Sequence, residues 1–365
     1  MSTRSFDPLR VAIVGCGNIS GAYGKSLKTR PDCARLMGAF DVDQEKAAAF
    51  VKEHGGRHYP TLEALLADPE VEAVINLTAH RAHAPVTSQA LEAGKHVHSE
   101  KPLAGTREDG RRLVALAGAR GLRLSCSPFT FLGEAQQTAW KAIRDGMIGR
   151  VRLAYAEMNW GWIESWHPSP EGFYEPGAGP MLDVGVYALT VLTTILGPVA
   201  RVVGGASILN PDRTVTQGPR AGQTFRVTTP DQVTGVLEFE SGARGRVTAS
   251  FYASSRQAGV EFHGDGGALY LSTPHDFNAT VEARAGLRGG EWKRVSYLKE
   301  PYRGVEWGRA VFELAESIRT GSVQRVTGTQ AYHILDICLS ILQSADEGRP
   351  VDVASRFDPP PPVEY

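Results

Sequence analysis

A chain of 365 residues with 42% hydrophobic and 22% charged side chains has the composition of a soluble globular protein, and it is too long for one modest core, so two domains are expected. Lys and Arg number 39 against 40 Asp and Glu, a formal net charge of -1, and that balance gives no footing for nucleic acid or an anionic membrane surface. Cys16, Cys33, Cys126 and Cys338 lie scattered, without a CxxC pair or a Cys/His cluster at zinc-ligand spacing, which predicts reduced thiols and no structural metal.

The first residues lack the apolar stretch of a signal peptide, and no run approaches the roughly 18 apolar residues of a membrane span, so a cytoplasmic protein is expected. From residue 10 to 126 short apolar runs alternate with amphipathic stretches, as in a chain of βαβ units. Strands are predicted near 10–14, 35–40, 72–77, 95–98 and 123–126, with helices between them. Glu63 and Pro85 suit first turns, while Gly55, Gly94 and Gly121 suit helix C-termini. The alternation implies an α/β fold with a doubly wound parallel sheet that binds ligands at the carboxyl ends of its strands.

The first strand runs into Gly15-Cys16-Gly17-Asn18-Ile19-Ser20. Gly15 permits a tight turn, Gly17 lets backbone approach a pyrophosphate, and the next helix presents free N–H groups through Asn18 and Ile19. Ser20 takes the place of a third glycine and is small enough for close helix packing. Asp41 ends the second strand, where a carboxylate accepts hydrogen bonds from a ribose diol and repels a 2′-phosphate. With no arginine or lysine beside it, NAD is favoured over NADP. Asp43, two residues on, is placed to N-cap the following helix.

Polar residues leave the strand 72–77 as Thr78-Ala79-His80-Arg81-Ala82-His83, placed for the nicotinamide half of a dinucleotide; His83 could equally cap the helix opened by Pro85 without chemistry. Glu100-Lys101-Pro102 ends the strand at 95–98. A following proline biases Lys101 toward extended backbone, and a lysine held beside a cofactor crevice can move protons, although an isolated lysine reads as a surface residue.

A helix is predicted over 135–145 and an alternating strand over 151–160. Hairpins are expected between 233–239 and 244–251 and around Asp265-Gly266, which means an antiparallel sheet. Helices over 305–319 and 330–347 precede an extended, poorly ordered proline tail at 359–362. Trp160, Trp162, Trp166, His167, Phe173 and Tyr174 crowd one loop among glycines and prolines. Any single tryptophan reads as core; together they suit a wall that stacks on the C–H faces of a polyol, Trp166 and His167 foremost. Asp183 and Tyr187 stand four apart at the start of a helix that ends at Gly197, so they share a face, although Asp183 could be a plain N-cap.

Gly15-Cys16-Gly17, the loop from Thr78 to His83 and Ala93-Gly94-Lys95-His96-Val97-His98-Ser99-Glu100-Lys101-Pro102 together resemble the glucose-fructose oxidoreductase / inositol dehydrogenase / MocA family, and the likeness runs through nearly the whole chain. It implies a Rossmann domain (1–126) and a C-terminal α/β domain (127–365) with an open, largely antiparallel sheet for substrate and homo-oligomer contacts. The implied site has Lys101 and Asp183 as active residues, with Glu100, Thr78, His80 and His83 by the cofactor. Two positions depart from the pattern: Thr78-Ala79-His80 replaces Thr-Pro-Asn, and Tyr187 replaces a histidine. A neutral tyrosine is a poor base unless a cation lowers its pKa from about 10, which casts Lys101 and Tyr187 as a proton-relay pair with Asp183 binding a substrate hydroxyl. The implied activity is hydride transfer between NAD and a sugar, inositol or related polyol. A glycosidase working by transient oxidation and a non-catalytic sensor are the alternatives.

Overall fold

The computed structural model describes residues 6–167 and 169–364. They form two compact units, one of the residues up to Phe129 with Glu306–Tyr332, the other of Thr130–Val305 and His333–Val363.

The first unit runs β1 (Leu9–Val14), α1 (Ser20–Leu27), β2 (Ala34–Phe40), α2 (Gln44–His54), β3 (Arg57–His58), α3 (Leu62–Ala67), β4 (Ala73–Asn76), α4 (His80–Glu92), β5 (His96–Ser99), α5 (Arg107–Ala119) and β6 (Leu124–Cys126). Its sheet is parallel, in the order β3-β2-β1-β4-β5-β6. That order reverses direction between β1 and β4, where doubly wound sheets open a crevice for ligands. Val11 to Val14 and Ala73 to Ile75 are buried, as strands covered on both faces require. Five strands stand within two residues of the predicted ends. The exposed pair Arg57 and His58 is too short and polar to signal β3 in sequence.

Helix signals hold at Gly55, Gly94 and Gly121, all at positive φ beyond a helix end, and at Asp43, whose side chain accepts from the N–H groups of Glu45 and Lys46. Pro85 corrects the sequence reading. Helix α4 already begins at His80, so Pro85 lies inside it and its missing N–H removes an intrahelical bond instead of sparing an orphan donor. His80 and His83 therefore stand on the helix and not in a loop. The first unit also takes in the helix Arg309–Thr320, whose Val311, Phe312, Leu314 and Ala315 share a core with Leu9, Ile13 and Tyr23. An amphipathic helix far along the chain supplies that face, beyond the boundary expected after residue 126.

The second unit contains α6 (Glu134–Arg144), β7 (Val151–Asn159), α7 (Val186–Leu196), β8 (Val199–Ser207), β9 (Asp212–Thr214), β10 (Thr224–Arg226), β11 (Gln232–Phe239), β12 (Arg244–Ser250), β13 (Gly259–Gly264), β14 (Gly267–Leu271), β15 (Val281–Ala285), β16 (Lys293–Arg294) and β17 (Val351–Asp352). Nine strands form a sheet in the order β16-β15-β14-β13-β7-β12-β11-β8-β17, antiparallel except for β7 beside β12. Both predicted hairpins are present, β11 with β12 and β13 with β14. Tyr155, Glu157, Arg246, Glu261 and Tyr270 border a cleft of about 620 Å³ on the sheet. The tail, expected to be extended and poorly ordered, forms no regular element but is docked on both sides: Phe357 is buried against the His333 ring, and the Val363 N–H donates to Gln137 at 2.9 Å. No helix of the described residues is long and apolar enough to cross a membrane.

Candidate functional site

Gly15 leaves β1 with φ +95°, and a Cβ there would stand 2.7 Å from the Leu77 carbonyl carbon and the Thr78 nitrogen. Only glycine allows the turn to nest against the segment leaving β4. At Gly17 an added Cβ would meet nothing within 4 Å, so the backbone is open where a pyrophosphate must approach. Asn18 and Ile19 lead into α1, and the Ser20 hydroxyl donates back to the Gly17 carbonyl at 2.7 Å. Asp41 accepts from the Cys16 N–H at 2.6 Å and the Asp43 N–H at 2.8 Å, which fixes the carboxylate beside the turn with lone pairs left for a ribose. These features fit a dinucleotide. Burial, then Asp41, pushes the Cys16 thiol up to about 12, so it stays protonated and unreactive.

Beyond β4, the Thr78 hydroxyl donates to the Asn76 side chain at 2.7 Å, and the Asn76 amide donates to the His83 carbonyl and to Thr87. Each ring nitrogen of His83 lies 2.8 Å from a carbonyl oxygen, one of Thr78 and one of Pro102. Burial lowers the His83 pKa and the two carbonyls raise it, burial being the larger effect. Both carbonyls can only accept, so a neutral His83 donates to one of them, and only the imidazolium bonds the Thr78 turn and Pro102 at once. Lys101 stands in a bend after β5, not in the extended run expected, and its peptide to Pro102 is cis.

Glu100 points into the unit. Its carboxylate accepts from the Tyr23 hydroxyl at 2.7 Å, the Ser127 hydroxyl at 3.0 Å and the Lys101 N–H at 3.1 Å. Tyr23, having donated to Glu100, must accept from His98 Nε2 at 3.0 Å, so His98 Nδ1 accepts from Ser125 at 2.9 Å. That assignment holds for a neutral ring, and burial keeps His98 neutral by lowering its pKa to about 4. Sequence reading missed Tyr23, Asn76, Ser125 and Ser127; the signal for His98 was a polar residue in a strand otherwise buried on both faces.

In the second unit, Met181–Gly185 form a π-helical turn that continues into α7. Asp183 sits within that turn and not at an N-cap, and Tyr187 follows in the first turn of α7. Such turns interrupt regular hydrogen bonding and recur at functional sites. The aromatic loop divides. Tyr174 is core, whereas Trp160, Trp162 and Trp166 are 41%, 40% and 50% exposed. The rings run in contact from Tyr187 through His275 and Trp160 to Trp166, His167 and Phe173, at centroid spacings of 4.9, 6.0, 6.4, 5.5 and 4.9 Å. Burial lowers the His167 pKa, with Asp183 acting in the opposite sense.

Trp162 lies 4.8 Å from the guanidinium of Arg213, which is fully buried. Arg213 pairs with Glu164 at 2.8 Å and Asp231 at 2.6 Å, and the Tyr174 hydroxyl donates to Glu164 at 2.6 Å. The loop is thereby plugged into the unit by its own Glu164. No motif announced Arg213, which comes from the short strand β9.

The chain matches a family model described as an oxidoreductase family with an NAD-binding Rossmann fold over residues 9–127, and a GFO/IDH/MocA C-terminal domain over residues 136–270. It is 31% identical over 238 residues to a 1,5-anhydro-D-fructose reductase of Ensifer adhaerens, covering 64% of this chain and 67% of that protein. It is 30% identical over 271 residues to a dTDP-3,4-didehydro-2,6-dideoxy-alpha-D-glucose 3-reductase of Actinomadura kijaniata, covering 73% and 75%. A levoglucosan dehydrogenase structure in complex with NADH and levoglucosan shares the fold, with a TM-score of 0.81 at 20% identity over 95% of this chain and 100% of that one. The crevice at the β1–β4 reversal, the Gly15–Gly17 turn and both domain matches agree: the chain belongs to the GFO/IDH/MocA family of oxidoreductases and carries its NAD-binding Rossmann fold.

Proposed function

We propose that the protein is an NAD-dependent dehydrogenase or reductase of a sugar, inositol or related polyol, with Lys101, Asp183 and Tyr187 as its active residues. The observation that carries this reading is the row of rings that runs from buried Tyr187, one turn beyond Asp183, out to exposed Trp160 and Trp166, which suits a ligand with C–H faces and many hydroxyls. Both reductase relatives act, by their names, on sugar-type substrates.

The bound nicotinamide supplies the hydride acceptor or donor, and the protein supplies the proton chemistry. Tyr187 takes the hydroxyl proton during oxidation, Asp183 accepts a hydrogen bond from a substrate hydroxyl, and Lys101 is the cationic acid/base offered by the cofactor unit. Trp160, Trp162, Trp166 and His167 form the wall, and Trp162 takes part with one face already held by Arg213. Asp41 favours NAD over NADP. The reading includes a homo-oligomer and a reducing compartment, the latter supported by four free, buried thiols.

The test follows NADH absorbance with NAD and a panel of levoglucosan, glucose, myo-inositol and aryl glycosides. NADH should accumulate with at least one free polyol, and Tyr187→Phe should lower kcat by about 10²- to 10³-fold with an unchanged KM for NAD. Near-normal turnover of Tyr187→Phe would leave Lys101 as the sole acid/base. Glycoside cleavage without NADH would move the protein to oxidation–elimination chemistry, and silence across the panel would remove the polyol assignment.

A further inference from the structure

We infer that His275, anchored by Asp276, is a positioning residue of the polyol site that receives through Tyr187 the proton released on oxidation. This rests on the reading above for its substrate, although the ring cluster stands independently of it.

His275 lies on the turn between β14 and β15, and the turn is rigidly held. The His275 N–H donates to the Thr273 hydroxyl at 3.1 Å, the Gln136 amide donates to the Asp276 carbonyl at 2.9 Å, and the Phe277 carbonyl accepts from the Ala135 N–H at 3.0 Å. The last two bonds moor the turn to α6 and the first braces it internally, so the imidazole is presented from a fixed backbone, as a working side chain requires. The ring sits edge-on against Tyr187, centroids 4.9 Å apart, and against Trp160 at 6.0 Å.

Asp276 Oδ1 lies 2.9 Å from His275 Nδ1. A carboxylate there keeps the proton on Nδ1, leaves Nε2 as the basic nitrogen, and stabilises the imidazolium if Nε2 gains a second proton. The Asp276 carboxyl is held below its usual range, first by its hydrogen bond to His275. Titratable groups in contact with the ring include Asp276 on its own turn and Tyr187 on α7, while Trp160 adds no charge.

Burial completes the case. The Tyr187 residue is 5% exposed and the His275 side chain 22%, so a proton leaving the phenol has a titratable, water-touching neighbour in ring contact. During oxidation the carbinol carbon gives up its hydrogen with two electrons to NAD. The hydroxyl proton passes to the Tyr187 oxygen while the phenol's own proton passes to His275 Nε2, and water then takes it from the imidazolium. Reduction runs the same transfers backward.

Two measurements on the full chain test this. Long-range ¹H–¹⁵N spectra of the histidine rings, which need no substrate, should show neutral His275 as the Nδ1–H tautomer, with a titration midpoint that moves by about 0.5 unit or more in Tyr187→Phe and falls by about 1 unit in Asp276→Asn. An Nε2–H tautomer, or a midpoint indifferent to Tyr187→Phe, would overturn the inference. Second, with NAD and whichever polyol of the panel is oxidised, His275→Phe keeps a ring against Tyr187 but no nitrogen. It should lower kcat by about 10- to 100-fold at unchanged KM for NAD and abolish the pH limb of kcat assigned to the imidazole. Wild-type kcat with the limb intact would reduce His275 to wall packing. Should no polyol be oxidised, the proposed function fails, and the spectra still decide the role of His275.

Discussion

Each unit buries a carboxylate near the residues proposed for the chemistry, and the two are satisfied in opposite ways. Glu100 is met by the neutral hydroxyls of Tyr23 and Ser127 and by a backbone N–H, with neutral His98 and Ser125 behind them. Glu164 is met by a guanidinium that also holds Asp231, so three charges share one dry cluster with two acids to one base. A network of neutral partners fixes a loop at modest electrostatic risk. An ion cluster fixes one only while every member is present, because desolvation is expensive for any charge left over.

The sharpest way to break this contrast is Arg213→Met, which strands Glu164 and Asp231 in a site where all three side chains are at most 1% exposed. Breaking such a pair costs about 3–5 kcal/mol, measurable by urea denaturation, and Trp162 loses its stacking partner at the same time. A loss under about 1 kcal/mol would mean that the aromatic loop is held by its ring contacts alone.

A smaller effect separates the neutral network from the charged one. His98 in the first unit is lowered by burial to about 4, against about 6.5 in an unfolded chain. Between those values the unfolded chain binds a proton that the folded one refuses, so this stabilisation is present above pH 6.5 and is lost as pH falls toward 4. The whole excursion amounts to about 3 kcal/mol. Urea midpoints from pH 7 to 4 should therefore fall, and His98→Asn should flatten the fall; an unchanged slope would mean that His98 is already charged in the fold. His333 in the second unit, also lowered by burial to about 4, should leave part of the slope in place.

How legible each region was in the sequence follows from the same contrast. The parallel sheet, the Gly15–Gly17 turn, Asp41 and the Asp43 cap were readable because strand periodicity, glycine turns and caps depend on neighbours within a few residues. Hairpins in the second unit were readable for that reason too. Glu164, Arg213 and Asp231 were not, because their meeting depends on β9, β11 and the aromatic loop converging, and no local pattern marks a residue whose partners are 18 and 49 positions away. Pro85 misled because a proline reads as a helix start wherever the true start lacks a side-chain cap, as at Ala79. His275 carried no signal at all; a histidine after a strand reads as a turn.

The last test places a single charge in the half-exposed surroundings of the cofactor turn. Asp41→Asn keeps a carbonyl oxygen for one of the two N–H donors, Cys16 or Asp43, and removes the charge that repels a 2′-phosphate. Because Asp41 is partly solvated, the change should cost about 1 kcal/mol or less in stability, in contrast to Arg213→Met. Its effect should appear in cofactor choice: KM for NAD rising about 10-fold and discrimination against NADP falling by a similar factor, about 1.4 kcal/mol of binding. Unchanged preference would transfer that role to backbone around Asp43. A large stability loss would mean that the motif carboxylate, like Glu164, is structural first, and the contrast between the two units would then rest on Glu100 alone.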